Sequence, residues 1–131
     1  MPVRSLTQSV MRWPEPEQVM GQLTAWVEEQ ACRVPSLERV AIFGSYGRGT
    51  ASVGSDLDLL LIDSGASGPQ QERLRRWPLE RLPLCCDALV LTPSEHETLM
   101  AAGTRFASEL QRDARWVWSR PPSADDPGRH P

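Results

Sequence analysis

One stretch of the sequence, Gly44–Asp58, constrains this chain more than any other. It reads GSYGRGTASVGSDLD, and it follows the apolar run VAIF and leads into the apolar run LDLLLID. Short apolar runs bounded by turn residues favour buried strands, and a glycine-rich turn between them offers backbone N–H groups that can bind an anion. The second run begins with two aspartates one residue apart. This is the layout of a phosphate-and-metal site.

The patterns on either side predict a small layered domain. The predicted elements are a helix at 14–32, strands at 37–43 and 56–63, a helix at 70–82 that Pro78 ends or kinks, a central strand at 84–91, a helix from 92 to about 110 with a possible break at Gly103, and an edge strand at 116–118. The loop at 45–55 has room for one helical turn near Tyr46. This order predicts an α/β (α+β) fold, a small mixed β-sheet flanked by helices.

Length and composition limit the remaining possibilities. A chain of 131 residues predicts one domain, which we place at 14–118, after a flexible lead-in at 1–13 and before a disordered tail at 119–131. Three cysteines without a CxxC spacing favour a reducing cytoplasm over a disulfide framework or a zinc site. No run resembles a signal peptide or a membrane span. The net charge of -3 argues against duplex nucleic acid as a partner.

Three aspartates are the candidate catalytic and metal-binding residues. Side chains two apart in a strand share a face, so Asp56 and Asp58 should project side by side. Two such carboxylates repel each other unless a cation lies between them, and Mg²⁺ prefers carboxylate oxygens. Asp87 interrupts the apolar run LCCDALVL, where a lone charge is costly. If the two strands are neighbours, the three acids could hold two Mg²⁺ ions for phosphoryl or nucleotidyl transfer.

The glycine turn supplies the candidate nucleotide-binding residues. Gly44 allows close approach of the backbone, Ser45 offers a hydroxyl and an N–H group to phosphate oxygens, and Ser55 directly precedes the aspartates. Arg48 either adds positive charge at the phosphates or fixes the loop. The turn is not a P-loop, because Thr50 stands where that motif requires lysine.

These residues carry a resemblance to a known family. Gly44–Ser45, a ten-residue spacer and then DLD resemble the signature of the nucleotidyltransferase superfamily that includes DNA polymerase β. More closely, GSYGRG followed by GSDLDLLL resembles the minimal nucleotidyltransferases, the antitoxin halves of HEPN/MNT toxin–antitoxin pairs. The resemblance covers roughly residues 37–118. This chain departs from the commoner form at Gly47, where alanine often stands.

The resemblance implies a nucleotidyltransferase fold and an enzyme that transfers AMP from ATP to a tyrosine of a HEPN ribonuclease toxin, which it silences in a hetero-oligomer. It also implies that Gly44 and Ser45 bind the nucleotide phosphates and that Asp56 and Asp58 ligate Mg²⁺. Asp87 would be the third carboxylate and the base towards the acceptor hydroxyl.

Two other functions remain open at this point. The protein could neutralise the toxin by binding alone, with a vestigial or regulatory nucleotide site. It could instead be a small-molecule nucleotidyltransferase of the aminoglycoside-modifying type, although the chain is short for the additional substrate-binding domain that those enzymes carry.

Overall fold

A computed structural model describes residues 15–122, so the predicted lead-in at 1–13 lies outside the described residues. The strands are β1 (Leu37–Phe43), β2 (Leu57–Asp63), β3 (Cys86–Leu91) and β4 (Arg115–Ser119). The helices are α1 (Pro16–Arg33), α2 (Gly44–Arg48), α3 (Gln70–Leu74), α4 (Pro93–Ala101) and α5 (Arg105–Asp113), with a 3₁₀ turn at Leu79–Arg81. The mixed α/β architecture confirms the predicted fold class, and α2 is the helical turn expected near Tyr46.

The four strands form one mixed sheet in the order β3-β2-β1-β4. Strand β1 is antiparallel to β2 and β4, whereas β2 and β3 are parallel. The predicted edge position of β4 is confirmed. The prediction that the strand at 84–91 is central is wrong, because β4 adds to the free side of β1 and leaves β3 at the opposite edge.

The sheet has an apolar core on each face, as alternation of side chains along a strand requires. Val40, Ile42 and Leu59 pack on one face against α1, and Ala41, Leu60 and Ile62 pack on the other against α5. Helix α1 buries the stripe that its spacing predicted, namely Val19, Leu23, Trp26 and Val27. Asp58 has the same parity along β2 as Leu60 and Ile62, so it projects from the α5 face of the sheet.

The helical segment after Thr92 breaks at Gly103, as predicted. Gly103 has a φ of +70°, in the left-handed region that favours glycine, and it separates α4 from α5. Thr92 caps α4 by accepting a hydrogen bond from the Glu95 N–H at 3.1 Å. Thr104 caps α5 in the same way by accepting from the Ala107 N–H at 3.1 Å. Both helices therefore begin at side-chain caps that can be read from the sequence.

The helix predicted at 70–82 is wrong beyond Leu74. Helix α3 ends at Leu74, and Pro78 directly precedes a separate 3₁₀ turn. Proline disfavours a helical conformation at Trp77, so α3 does not continue into that turn. Arg73 donates to the Val90 carbonyl at 2.8 Å and pairs with Glu95 at 2.6 Å. These contacts fasten α3 to β3 and to the first turn of α4.

The carboxyl-terminal segment is ordered further than expected. The predicted tail begins at Ser119, but Ser119 is the last residue of β4, and Arg120 donates through Nε to the Leu37 carbonyl at 2.8 Å. The rest of that tail, 123–131, lies outside the described residues. Within 15–122, none of the helices combines the length and the apolar character that crossing a membrane would require.

Candidate active site

The structure places two of the predicted acids directly opposite each other. Asp58 in β2 and Asp87 in β3 are partners in the parallel register, on strands roughly 4.8 Å apart. Asp56 lies two residues before Asp58 and immediately ahead of the first residue of β2. The sheet thus gathers the three acids at the end where β2 and β3 begin, next to the end of β1 and the turn at Gly44.

Asp87 is less buried than its apolar surroundings in the sequence imply. Because β3 is an edge strand, Asp87 and Asp56 are exposed and Asp58 is half-buried. Solvent can stabilise an exposed carboxylate, so burial alone does not demand a cation at Asp87. The reason to expect a cation at Asp87 is therefore its position opposite Asp58 in the strand register.

The surroundings of Asp58 disfavour its ionised form. Burial is the largest cause that raises the pKa of its carboxyl, and the charges of Asp87 and Asp56 raise it further, whereas Arg48 lowers it. Within 15–122, none of these three acids forms an ion pair. The negative charge of the site is therefore compensated only in part by Arg48, and a bound cation would stabilise it further.

The donor set suits Mg²⁺ in a particular way. In the described part of the chain, no three His, Cys, Asp or Glu side chains converge well enough to hold a metal ion by themselves. Mg²⁺ commonly binds one or two carboxylates and completes its shell with water and substrate phosphate. Asp56 and Asp58, with Asp87 as a third carboxylate opposite Asp58, fit that kind of site.

Gly44 lies against the carboxylate of Asp58. Its φ is +64°, and a Cβ atom at this position would collide with Oδ2 of Asp58. Glycine is therefore required twice, by the left-handed backbone and by the carboxylate that occupies the space of a side chain. The first residue of the predicted phosphate-binding turn and the predicted metal ligand are in direct proximity.

The two serines have different surroundings. Ser45 lies in the first turn of α2, and its carbonyl accepts the Thr50 N–H at 2.9 Å, which closes the turn. Ser55 uses its hydroxyl to accept the Ser52 N–H at 3.0 Å. Ser55 thus fixes the loop that leads into the acids, a role that sequence reasoning did not assign to it.

The structure shows the loop-fixing role of Arg48, whereas a contact with phosphate stays a prediction. Its Nη1 is 3.0 Å from Oδ2 of Asp113 at the end of α5, which fixes the turn. Its side chain is still 45% exposed, and its charge lowers the pKa of Asp58. The ion pair with Asp113 therefore holds Arg48 beside the acids and leaves part of its side chain accessible.

Cys86 adjoins the acids but is a poor nucleophile. Burial, followed by the charges of Asp87 and Asp58, raises the pKa of its thiol to about 12. A thiol in this environment stays protonated near neutral pH, so it does not supply the thiolate that covalent catalysis needs. The three aspartates therefore remain the candidate catalytic groups at this end of the sheet.

Comparison with known families accords with this geometry. The family model described as nucleotidyltransferase domain matches residues 25–116, which is more than half of the chain and includes every residue of the candidate site. No curated protein matches the sequence significantly.

The solved structures that are similar to this fold include the following two. A candidate nucleotidyltransferase from Sulfolobus solfataricus has a TM-score of 0.61 and 25% identity, with 80% of this chain and 84% of that one covered. A toxin–antitoxin solved with AMP-PNP has a TM-score of 0.50 and 17% identity, with 77% and 73% covered. The second similarity concerns the fold alone.

Proposed function

This chain belongs to the nucleotidyltransferase-domain family, and we propose that it is a cytoplasmic, Mg²⁺-dependent antitoxin that transfers AMP from ATP to a tyrosine of a HEPN-type toxin. The observation that carries the proposal is the register of Asp58 against Asp87, with Gly44 in contact range of the same carboxylate. It supports the proposal because the glycine turn and the acids lie at the same end of the sheet.

The proposed reaction assigns a task to each residue. Gly44 and Ser45 bind the triphosphate, and Asp56 and Asp58 are the principal Mg²⁺ ligands. When bound, Mg²⁺ neutralises the charge that builds up on the phosphate oxygens. Asp87 takes the proton of the tyrosine hydroxyl, whose oxygen bonds to the α-phosphorus. The bond from that phosphorus to the pyrophosphate oxygen breaks, and pyrophosphate leaves with the electron pair.

Support for a toxin partner comes chiefly from the sequence, in which GSYGRG and GSDLDLLL resemble the antitoxin halves of HEPN/MNT pairs. The similarity to a toxin–antitoxin solved with AMP-PNP agrees with that reading at the level of the fold. Small-molecule nucleotidyl transfer has no comparable support among the described residues.

The proposal is tested with the protein encoded beside this chain, which the proposal predicts to be a HEPN-type toxin. Incubation with ATP and Mg²⁺ should add AMP to a tyrosine of that protein, detected by mass spectrometry of its peptides. The double variant Asp56→Asn/Asp58→Asn should give no modified peptide. Wild-type protein that leaves the partner unmodified, or a double variant that modifies it as fast as wild type, would contradict the proposal.

Survival of cells distinguishes catalysis from binding alone. We expect the double variant to fail to protect cells that express the toxin, although it still folds. Full protection by the double variant would show that contact neutralises the toxin. Co-purification of the two proteins provides the control, because wild type and the double variant should both still bind the partner.

Mg²⁺ should also change how stability depends on pH. Because the pKa of Asp58 is raised in the folded state, the metal-free protein should lose stability as the pH rises through that pKa. Mg²⁺ binds the ionised carboxylate and should restore the loss. We expect the free energy of unfolding in urea to respond to Mg²⁺ at about pH 7 and not at about pH 4, where the Asp58 carboxyl tends towards its protonated form. Asp58→Asn should remove the response; an equal Mg²⁺ effect at both pH values would contradict this account.

A further inference from the structure

Asp113 is a buried acid in an electrostatically unfavourable place. It is the last residue of α5, and only 6% of the residue is exposed. The carboxyl end of a helix carries partial negative charge, which favours basic residues and not acidic ones. A buried carboxylate there must be compensated by close positive charge.

Two arginines provide that compensation. Arg112 donates from Nε to Oδ1 at 2.8 Å and from Nη2 to Oδ2 at 3.2 Å, and Arg48 donates from Nη1 to Oδ2 at 3.0 Å. The hydrogen bond from Arg112 is the largest cause that lowers the pKa of Asp113, and Arg48 adds to it. Arg112 therefore holds both oxygens in a fork, whereas Arg48 shares only one of them.

Gly47 brings the turn directly against this acid. A Cβ atom at position 47 would collide with the backbone oxygen of Asp113 and lie 3.0 Å from the Ile42 carbonyl oxygen. Alanine, which often stands here in the commoner motif, does not fit at this separation. The glycine lets α2 approach the end of α5 closely enough for Arg48 to reach Asp113.

Arg48 consequently has two acidic neighbours of different kinds. Asp113 binds it directly, and Asp58 feels its charge, which lowers the pKa of that carboxyl. The exposed part of the Arg48 side chain lies on the turn that the proposed function assigns to the nucleotide phosphates. An arginine in this position can exchange a carboxylate for a phosphate, because guanidinium binds the oxygens of both groups.

We propose that Asp113 and Arg112 are positioning residues that make Arg48 exchangeable. Asp113 holds Arg48 at the turn while the site is empty, and Arg48 transfers to the nucleotide phosphates when ATP binds. Arg112 still pairs with the buried Asp113 carboxylate after Arg48 leaves, so the movement of Arg48 does not leave that charge unpaired. This inference rests on the proposed function, since it requires a nucleotide at the Gly44–Arg48 turn.

The test is the dissociation constant of a non-hydrolysable ATP analogue in Mg²⁺, measured by calorimetry on the full chain. Arg48→Ala should weaken binding about ten-fold, the effect of losing a hydrogen bond between charged groups. Arg112→Gln should weaken binding about three-fold or more, because release of Arg48 would then leave Asp113 uncompensated. The loss of affinity caused by Arg112→Gln should vanish when Arg48→Ala is also present. Adding Asp113→Asn to Arg112→Gln should restore the affinity, since a neutral side chain needs no second arginine.

Arg105→Gln is the matched control. Arg105 lies on the same helix, is 93% exposed and pairs only weakly with Glu109 at 3.6 Å, so its loss removes the same charge without touching Asp113. The Arg105→Gln variant should bind the ATP analogue as tightly as wild type does. Arg112 is 66% exposed, which leaves the core intact in the variant. If Arg112→Gln nevertheless unfolds, Arg112→Lys should show a smaller loss of the same sign.

The outcomes separate the two proposals. Wild type that binds no nucleotide would overturn the proposed function together with this role. Nucleotide binding by wild type with an unchanged Arg112→Gln variant would overturn the inference alone. A loss in Arg112→Gln that persists without Arg48, or that Asp113→Asn fails to reverse, would also overturn it, because Arg112 would then act independently of the exchange.

Discussion

Asp58→Asn should lower the rate of nucleotidyl transfer by at least about 100-fold, the scale of removing one group that stabilises transition-state charge. The carboxylate lies opposite Asp87 in the register and beside Gly44, and for that reason we propose it as a Mg²⁺ ligand. Asparagine keeps the size of the side chain and removes the charge. The initial rate of transfer to the partner, with saturating ATP and Mg²⁺, measures the effect.

The same substitution should leave the fold intact. In the metal-free protein, burial and the neighbouring acids disfavour the ionised form of Asp58, which is why its pKa is raised. Removing that charge should leave the free energy of unfolding at neutral pH unchanged or higher. A variant that transfers AMP at the wild-type rate would contradict the role of Asp58, whatever its stability.

Asp63→Asn is the matched control in the same strand. Asp63 is 1% exposed, accepts the Gly65 N–H at 2.9 Å and pairs with Arg76 at 3.1 Å, away from the acids at the other end of β2. This substitution should cost about 1 kcal/mol of stability, because it weakens a buried charged contact. Transfer by the folded protein should be unaffected, the reverse of the pattern expected for Asp58→Asn.

Gly44→Ala should lower both the stability of the protein and its rate of transfer. The left-handed φ of +64° costs about 1–2 kcal/mol for alanine, and the collision with Oδ2 of Asp58 adds a packing cost of about 1–3 kcal/mol. Displacement of the carboxylate should also reduce transfer. Urea unfolding and the transfer rate, measured on the same preparation, would record both effects.

Gly49→Ala separates strain from collision. Gly49 has a φ of +78°, similar to Gly44, but no atom lies within 4 Å of a Cβ built there. The free energy of unfolding of Gly49→Ala should therefore fall by the backbone contribution alone, about 1–2 kcal/mol. The variant should keep most of its transfer activity. Equal losses of stability and of activity in the two variants would show that the Asp58 carboxylate does not occupy the space beside Gly44.

Local patterns in the sequence predict the elements that hold this site. The run at 37–43 coincides with β1, the strand predicted at 56–63 differs from β2 by one residue, and Gly103 divides the last helical segment. Each of these features depends on residues within a few positions of one another. Secondary-structure propensity and side-chain alternation are properties of that short range.

Features that depend on distant pairing were not predictable in this way. The place of β3 at an edge follows from β4 pairing with β1, and local alternation carries no information on strand order. The contact of Arg48 with Asp113 joins residues 65 positions apart. A signal for it exists, because an acid preceded by arginine at the end of a helix is electrostatically unusual. The signal does not identify which distant residue completes the pair.

The measurement that tests the central claim most directly is the position of the label that reaches the partner protein. Wild-type protein, Mg²⁺ and the HEPN-type partner are incubated in parallel with ATP labelled at the α-phosphate and with ATP labelled at the γ-phosphate. Transfer of AMP predicts label on the partner from the α-labelled nucleotide only, and none after Asp58→Asn. Label from the γ-phosphate, or no label from either nucleotide, would contradict nucleotidyl transfer by this site.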